Sequence, residues 1–365
     1  MKRVLVLTAS FGEGHNTAAR SIREALEATG EAEVRVGDLY ATAVPRVNST
    51  VKVGYSFAIN RAPWLWRLIF LWLDRPGWME ATMWMTNALR DELDRALADF
   101  RPDIIVSTYP LYGYLFRAIQ KRRPEVRMPI VTVITDSIGV NSAWHRCLSD
   151  AFIAADDETA QLLVRRGVPA EIIHPLGFPV SGEFARAASP PKDGPPWQLL
   201  FMPSTQLNLT LRQIHALVEL PDVEITVLAG RHARMFDAVN DSGLVDGEKC
   251  RLIGWTDAMP RLLREHHAFI GKAGGAIVQE AIAAQCPFFV SHLVPGQEEG
   301  NIALLERLNV GTPALGKPQR LADAVRNAFA DRAQQWRKWK ANLARVSKSD
   351  AAERIARLVL NFPAA

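Results

Sequence analysis

Phe269-Ile-Gly-Lys-Ala-Gly-Gly-Ala-Ile-Val-Gln-Glu-Ala281 is the stretch on which the reading of the fold turns. An apolar run ends at Ile270, Gly271, Gly274 and Gly275 make a turn of little steric bulk, and a helix-forming run starts near Ala276. Strand, glycine turn and helix in that order form a βα unit of a parallel sheet. The free backbone N–H groups of such a helix start, together with its dipole, make an anion site. Lys272 stands inside the turn, and Glu280 lies about a turn and a half into the helix, where a carboxylate accepts hydrogen bonds from a ribose diol. By itself a Lys-x-Gly-Gly turn reads equally well as a plain loop.

The next strand leads into Ser291-His-Leu-Val-Pro-Gly-Gln-Glu-Glu-Gly-Asn301. Gln297, Glu298, Glu299 and Asn301 then fall at the carboxyl end of that strand, where open α/β sheets bind ligands. Their dense hydrogen-bonding capacity suits sugar hydroxyls, although Gln-Glu-Glu alone reads as a solvated helix cap. Upstream, strands are expected at 198–202, 224–229, 251–253 and 268–270, and a helix at 209–219. Before them, Ala185-Arg-Ala-Ala-Ser-Pro-Pro-Lys-Asp-Gly-Pro-Pro196 has linker chemistry. In front of the linker the same rhythm runs through strands at 4–8, 33–36, 104–107, 130–134 and 151–154, with amphipathic helices at 17–29 and 91–100. The expectation is two doubly wound α/β domains, 1–185 and 196–330. A basic helical tail, 331–365, is expected to pack back on the first.

Composition agrees with an ordinary globular protein. Of 365 residues, 48% are hydrophobic and 22% charged. The net charge of +4 is too small to argue for a nucleic-acid partner. Cys147, Cys250 and Cys286 are odd in number and widely spaced, which speaks against a disulfide framework or a zinc site and for a reduced, cytosolic protein. The short run Val4 to Leu7 lacks the features of a signal peptide, and the apolar stretch Pro63–Leu73 is far short of the roughly 20 residues that span a bilayer.

Taken together, Gly254-Trp-Thr-Asp-Ala-Met259, the Gly271–Ala281 turn and Pro295-Gly-Gln-Glu-Glu-Gly-Asn301 resemble the donor half of family 28 glycosyltransferases of GT-B fold. The resemblance is strongest to monogalactosyldiacylglycerol synthases and processive diacylglycerol glucosyltransferases. It implies two Rossmann-like domains facing a cleft. The loop around Lys272, Gly274, Gly275 and Ala276 would hold the diphosphate of a UDP-sugar, Glu280 the ribose, and Gln297 to Glu299 the sugar. Ile253, Gly254 and Trp255 would sit beside uracil. There is no Asp-x-Asp motif, and the resemblance implies no required metal or cofactor.

Near the N-terminus, Ser10-Phe-Gly-Glu-Gly-His15 follows the first strand. As a dinucleotide fingerprint it fails at the third glycine, where Thr17 stands, although Asp38 lies about where a ribose-binding acid belongs. The pattern with Gly12, Gly14, His15, Ala18 and Ala19 resembles the acceptor-side loop of the same lipid glycosyltransferases. His15 would be the general base, and the alternative is a histidine that caps or packs. Thr132-Val-Ile-Thr-Asp136 resembles the family's strand end and places Asp136 at the acceptor side. The plant-type His segment that follows is replaced by Asn141-Ser-Ala-Trp144.

Five of the ten tryptophans, Trp64, Trp66, Trp72, Trp78 and Trp84, cluster in a short stretch. Leu39 to Leu73 contains no Asp or Glu but does contain Arg46, Lys52, Arg61 and Arg67. Such a segment fits either a core between domains or a membrane headgroup region. The resemblance favours docking of Trp64, Trp66, Arg67 and Trp72 on an anionic membrane. The expectation is an inverting hexosyltransferase, peripheral on the inner membrane face, moving sugar from UDP-sugar to a lipid acceptor, with diacylglycerol the acceptor that the resemblance implies. The alternatives are a GT-B UDP-sugar epimerase, a transferase acting on a polyprenyl-linked precursor, and a membrane-binding module without turnover.

Overall fold

The computed structural model describes residues 1–10, 13–44, 86–136, 140–186, 190–294 and 298–364. The chain divides into two compact units: Met1–Gly182 with Pro295–Gly300 and Lys348–Ala365, and Glu183–Val294 with Asn301–Ser347.

In the first unit the elements run β1 Lys2–Thr8, α1 Glu13–Thr29, β2 Ala32–Asp38, α2 Leu39–Ala43, α3 Asn87–Phe100, β3 Ile104–Ser107, α4 Leu111–Arg122, β4 Ile130–Val133, α5 Ser142–Arg146, β5 Ala151–Ile153, α6 Asp157–Arg165 and β6 Ile173–His174. Among the described residues they form a parallel sheet in the order β2-β1-β3-β4-β5-β6. Strand alternation builds both faces at once. Val4 and Val6 pack with Ile22, Leu26 and Val106 on one side, and Leu5 and Leu7 with Leu93, Leu97 and Phe116 on the other.

The second unit runs β7 Trp197–Phe201, α7 Leu207–Val218, β8 Val223–Gly230, α8 Ala233–Asn240, β9 Cys250–Gly254, α9 Met259–Glu265, β10 Ala268–Lys272, α10 Gly275–Ala283, β11 Phe288–His292, α11 Glu299–Leu308, β12 Gly311–Pro313 and α12 Pro318–Val346. Its sheet is also parallel, in the order β12-β11-β10-β7-β8-β9. A last helix, α13 Ala351–Asn361, belongs to the first unit. The short strands β6 and β12 escaped the sequence reading because two or three residues carry no periodicity.

The tail departs from expectation over 331–347. That segment is the second half of α12, bent at Ala330–Ala333, and it stays on the second unit. The reason is two buried indoles: Trp336 Nε1 donates to the His267 carbonyl (2.7 Å) and Trp339 Nε1 to Asn309 Oδ1 (3.1 Å), beside Trp197 and Phe289. Only Lys348–Ala364 packs with the N-terminal sheet. There Ile355, Ala356 and Val359 join Val4 and Ile22, and Lys2 Nζ donates to the Leu360 and Phe362 carbonyls. The unit boundary also precedes the proline-rich linker. Arg264 donates to the Phe184 carbonyl, and Phe184 is buried, so the start of the linker belongs to the second unit.

Among the described residues no helix is long and apolar enough to cross a membrane. The three cysteines are free and buried. Gly12, Gln297 and the tryptophan cluster, including Trp64, Trp66, Arg67 and Trp72, lie outside the described residues.

Candidate active site

Each sheet has one point where successive connections leave in opposite directions, and ligands of open α/β sheets bind at its carboxyl end. In the first unit that point lies between β1 and β3. His15 follows β1, in the first turn of α1, and Thr108 follows β3.

His15 Nδ1 is 2.7 Å from the Thr108 carbonyl oxygen and 2.9 Å from Thr135 Oγ1. A carbonyl only accepts, so the network assigns the hydrogen to Nδ1 and leaves Nε2 with the lone pair, the tautomer a general base needs. Thr108 is itself fixed, its Oγ1 donating toward the Leu7 and His15 carbonyls at 3.2 Å each. Burial pushes the His15 pKa below the ordinary histidine value, while the Asp136 charge and the bond to Thr108 hold it up. Asp136 Oδ2 accepts from Trp144 Nε1 at 2.7 Å, and the Trp144 ring lies 6.1 Å from the imidazole. Tyr109 meets the imidazole edge-on at 5.1 Å. Burial raises the pKa of Tyr40, Tyr109 and Tyr112, so these phenols stay protonated, while burial shifts His15 downward and favours its neutral, basic form.

The structure brings His15 and Asp136 together, and adds Thr108, Thr135 and Trp144. Motif reading passed over the two threonines as partners, because a carbonyl or hydroxyl contact across three strands leaves no spacing in the sequence. Gly14 opens the first turn of α1 beside His15, and a methyl added to it meets nothing within 4 Å. The dinucleotide reading loses its acid. Asp38 Oδ2 accepts from the Ser10 backbone (3.1 Å) and hydroxyl, and Oδ1 from Tyr40 N (3.0 Å) and Ala41 N (3.2 Å), which commits the carboxylate to capping α2.

In the second unit the switch point lies between β7 and β10. The Gly-rich turn leaves β10 there. Lys272 ends the strand, Gly274 is the N-cap of α10 with extended backbone (φ −68°, ψ 146°), and Gly275 is the first helical residue, one earlier than expected. No side chain caps this helix, so the first-turn N–H groups of Gly275 and Ala276 are open to an anion. Glu280 lies half-buried farther along α10. Gly271, expected in the turn, is instead a residue of β10 paired with Val290, and a Cβ on it would come within 2.4 Å of the Phe269 ring, so glycine there lets that ring pack.

Asn301 has a different place from the one its sequence suggested. It is buried, and its Nδ2 donates to the Ala273 carbonyl at 2.8 Å, which makes it a brace for the Gly-rich turn. Glu298 is buried and Glu299, the first residue of α11, is exposed. Ile253 and Gly254 end β9, half-buried, and Trp255 follows with 58% of its surface exposed. Among the described residues no group of three or more His, Cys, Asp or Glu side chains is arranged to hold a metal ion.

Comparison with known proteins agrees with the motif reading. Residues 15–180 match the family model for monogalactosyldiacylglycerol (MGDG) synthase. A processive diacylglycerol beta-glucosyltransferase of Bacillus cereus (strain B4264) is 25% identical over 316 residues, covering 84% of this chain and 80% of that protein. One of Bacillus anthracis (strain A0248) has the same identity and coverage. Among solved structures, MurG of Acinetobacter baumannii superposes with a TM-score of 0.64 at 14% identity, covering 98% of this chain and 99% of that one. MnaA of S. aureus, in a structure with UDP, superposes at 0.62 and 14% identity, covering 98% and 96%. The resemblance to the lipid glycosyltransferases of family 28 therefore holds, and the fold is GT-B.

Proposed function

We propose that this protein is an inverting hexosyltransferase that moves sugar from a UDP-sugar to the hydroxyl of a membrane lipid, diacylglycerol first among the candidates. The observation that most supports the reading is the imidazole of His15, held by the Thr108 carbonyl in the tautomer that presents Nε2 as a base. In the reaction, Nε2 takes the proton of the acceptor hydroxyl as its oxygen attacks the anomeric carbon. The bond from that carbon to the diphosphate breaks, and its electron pair leaves with UDP. The Asp136 carboxylate and the Thr108 carbonyl stabilise the resulting imidazolium. The open N–H groups at Gly275 and Ala276 take the charge gathering on the diphosphate, and Glu280 and the Gln297–Glu299 loop hold ribose and sugar. This reading needs no metal or cofactor. The relatives named above as diacylglycerol glucosyltransferases support the acceptor class.

Docking of the segment 39–73 on an anionic inner-membrane surface, with Trp64, Trp66, Arg67 and Trp72 at the headgroups, belongs to the same proposal. Flotation with anionic vesicles at low salt tests it: retention of binding in a Trp66→Ser/Trp72→Ser variant contradicts it.

The deciding experiment is a panel of radiolabelled UDP-sugars offered with mixed lipid micelles. His15→Ala should cut turnover by roughly 10²- to 10⁴-fold with UDP binding unchanged. Wild-type turnover in that variant removes the base from the reading. A UDP-sugar epimerase shares this fold, and NMR of UDP-sugar incubated in lipid-free buffer distinguishes it, because only an epimerase gives product there. Transfer to polyprenyl-linked lipid alone, with none to diacylglycerol, would reassign the acceptor.

A further inference from the structure

The carboxyl ends of β10 and β11 hold an imidazole that the donor reading leaves without a task. Lys272 and His292 are the last residues of the two strands. Regular pairing carries Gly271 opposite Val290 and would set Lys272 opposite Ser291, but the register shifts there and His292 stands opposite Lys272 instead. Irregularities of this kind re-aim a side chain and collect beside active sites. The Ala273 N–H donates to the His292 carbonyl at 3.4 Å, which ties the pair to the Gly-rich turn. Two residues beyond Ala273, α10 opens with its uncapped N–H groups.

The ring is partly buried, and its Nδ1 lies 3.0 Å from Ser291 Oγ. Burial and the Lys272 ammonium both oppose a charge on it and hold it neutral, with its pKa lowered to about 4. The other titratable groups around the turn are Glu280 on α10, Glu298, and Glu299 at the start of α11. Beside β11, β12 brings Gly311, Thr312 and Pro313, and α12 meets it through Trp339 against Phe289.

A dianionic diphosphate at the start of α10 outweighs the Lys272 charge and reverses the field on the ring. The imidazolium is then the favoured form. Ser291 Oγ can accept from Nδ1–H as well as donate to Nδ1, so that contact survives protonation and Nε2–H is left to donate to a phosphate oxygen.

We propose that His292 is a proton-linked binding residue of the donor site: an arriving diphosphate draws a proton from solvent onto the imidazole, and the imidazolium joins Lys272 in holding the phosphates. The inference rests on reading the second unit as a UDP-sugar site and deepens it.

Isothermal titration of the full-length chain with UDP-glucose, UDP-galactose and UDP-N-acetylglucosamine, in buffers of different ionisation heat, tests it. These diphosphate diesters do not themselves titrate in the range used. For the one that binds most tightly, uptake should be about half a proton or more near pH 5.5 and close to none near pH 7.5, with affinity roughly 2- to 10-fold higher at the lower pH. His292→Gln should abolish the uptake and keep affinity near pH 7.5 within about twofold. His15→Ala should leave the uptake in place. Unfolding curves check the variants, and His292→Asn replaces His292→Gln if glutamine does not fit. In the wild-type protein, a histidine ring signal absent from the variant's NMR spectrum should titrate between about pH 5 and 7 with the UDP-sugar bound and stay flat without it. Binding without proton uptake, or uptake undiminished in the His292 variant, overturns the role of His292 and leaves the donor reading in place. Wild-type protein that binds none of the three overturns the donor reading itself.

Discussion

Replacing Asp136 with Asn isolates the electrostatics of the His15 site. Asparagine keeps an oxygen to accept the Trp144 Nε1–H, now bonded at 2.7 Å, so the shape survives while the charge goes. The carboxylate is bonded to Trp144, whose ring centre lies 6.1 Å from that of His15, and a separation on the order of 6 Å between the two charges serves for an estimate. Two unit charges at such a distance interact by about 2–3 kcal/mol at an effective dielectric near 20. His15 is partly buried and keeps some contact with solvent, which trims this to about 1–2 kcal/mol. The imidazolium appears only as the proton moves, so the loss falls on the transition state, and kcat/KM at the alkaline plateau should drop roughly 5- to 30-fold.

The pH profile gives the sign. The base must be neutral, and burial already holds the His15 pKa below the ordinary histidine value. Wild-type activity should therefore rise with pH through a midpoint below about 6.5 and then level off. Removing a charge that raises the pKa moves this acid limb to still lower pH while the plateau falls. Initial rates of radiolabelled sugar transfer to lipid micelles at low donor concentration, from about pH 5 to 8.5, give both quantities. An acid limb that stays in place or moves up, with the plateau unchanged, would refute the coupling between Asp136 and His15.

Three further outcomes follow from single contacts. Asn301→Ala leaves the buried Ala273 carbonyl without its 2.8 Å donor, a loss of about 1–3 kcal/mol, so the KM for donor should rise at least about fivefold with kcat changed less; steady-state kinetics check it. His267 is buried as a neutral ring, with Nδ1 accepting from Gln198 N (2.9 Å) and Nε2 donating to the Lys192 carbonyl (2.8 Å), and burial lowers its pKa. A depressed folded pKa means its stabilisation is complete above the unfolded value near 6.5 and is lost as pH falls through it. His15, His174, His266 and His292 shift in the same direction, so urea midpoints should drop between about pH 7.5 and 5.5, and a flat or rising midpoint contradicts this. Burial pushes the thiols of Cys147 and Cys286 up to about 12 and that of Cys250 up to about 11, so a thiol reagent at neutral pH should find no reactive cysteine until the protein is unfolded.

Much of the fold was legible because parallel strands buried on both faces are written as short apolar runs. Ile104–Ser107 was placed to the residue, and the helices expected at 17–29, 91–100 and 209–219 are present with shifted starts, while helices such as Leu111–Arg122 and Asp157–Arg165 were not anticipated. The start of α1 was missed by four residues because Glu13 to Asn16 carry no apolar period, and those residues include His15. The candidate site was legible as pieces, the Gly-rich turn, the His15 loop and the Asp136 strand end, each a local pattern. Its partners were not. Thr108 and Thr135 follow β3 and β4, and nothing about a threonine in sequence marks it as the support of a histidine 93 or 120 residues away.

The amino-acid sequence determined the βα rhythm, the loops that leave the strands and the chemistry those loops can offer, because strand period, glycine turns and residue type are local properties. The tertiary structure alone decided strand order, and with it that the His15 loop and the Gly-rich turn each stand at a switch point. It chose the His15 tautomer, because a carbonyl from another strand lies against Nδ1. It committed Asp38 to a helix cap and Asn301 to a backbone brace, and it kept 331–347 on the second unit while 348–364 joined the first. Each of these depends on which surfaces distant segments bury together, and that information is carried by packing, not by spacing along the chain.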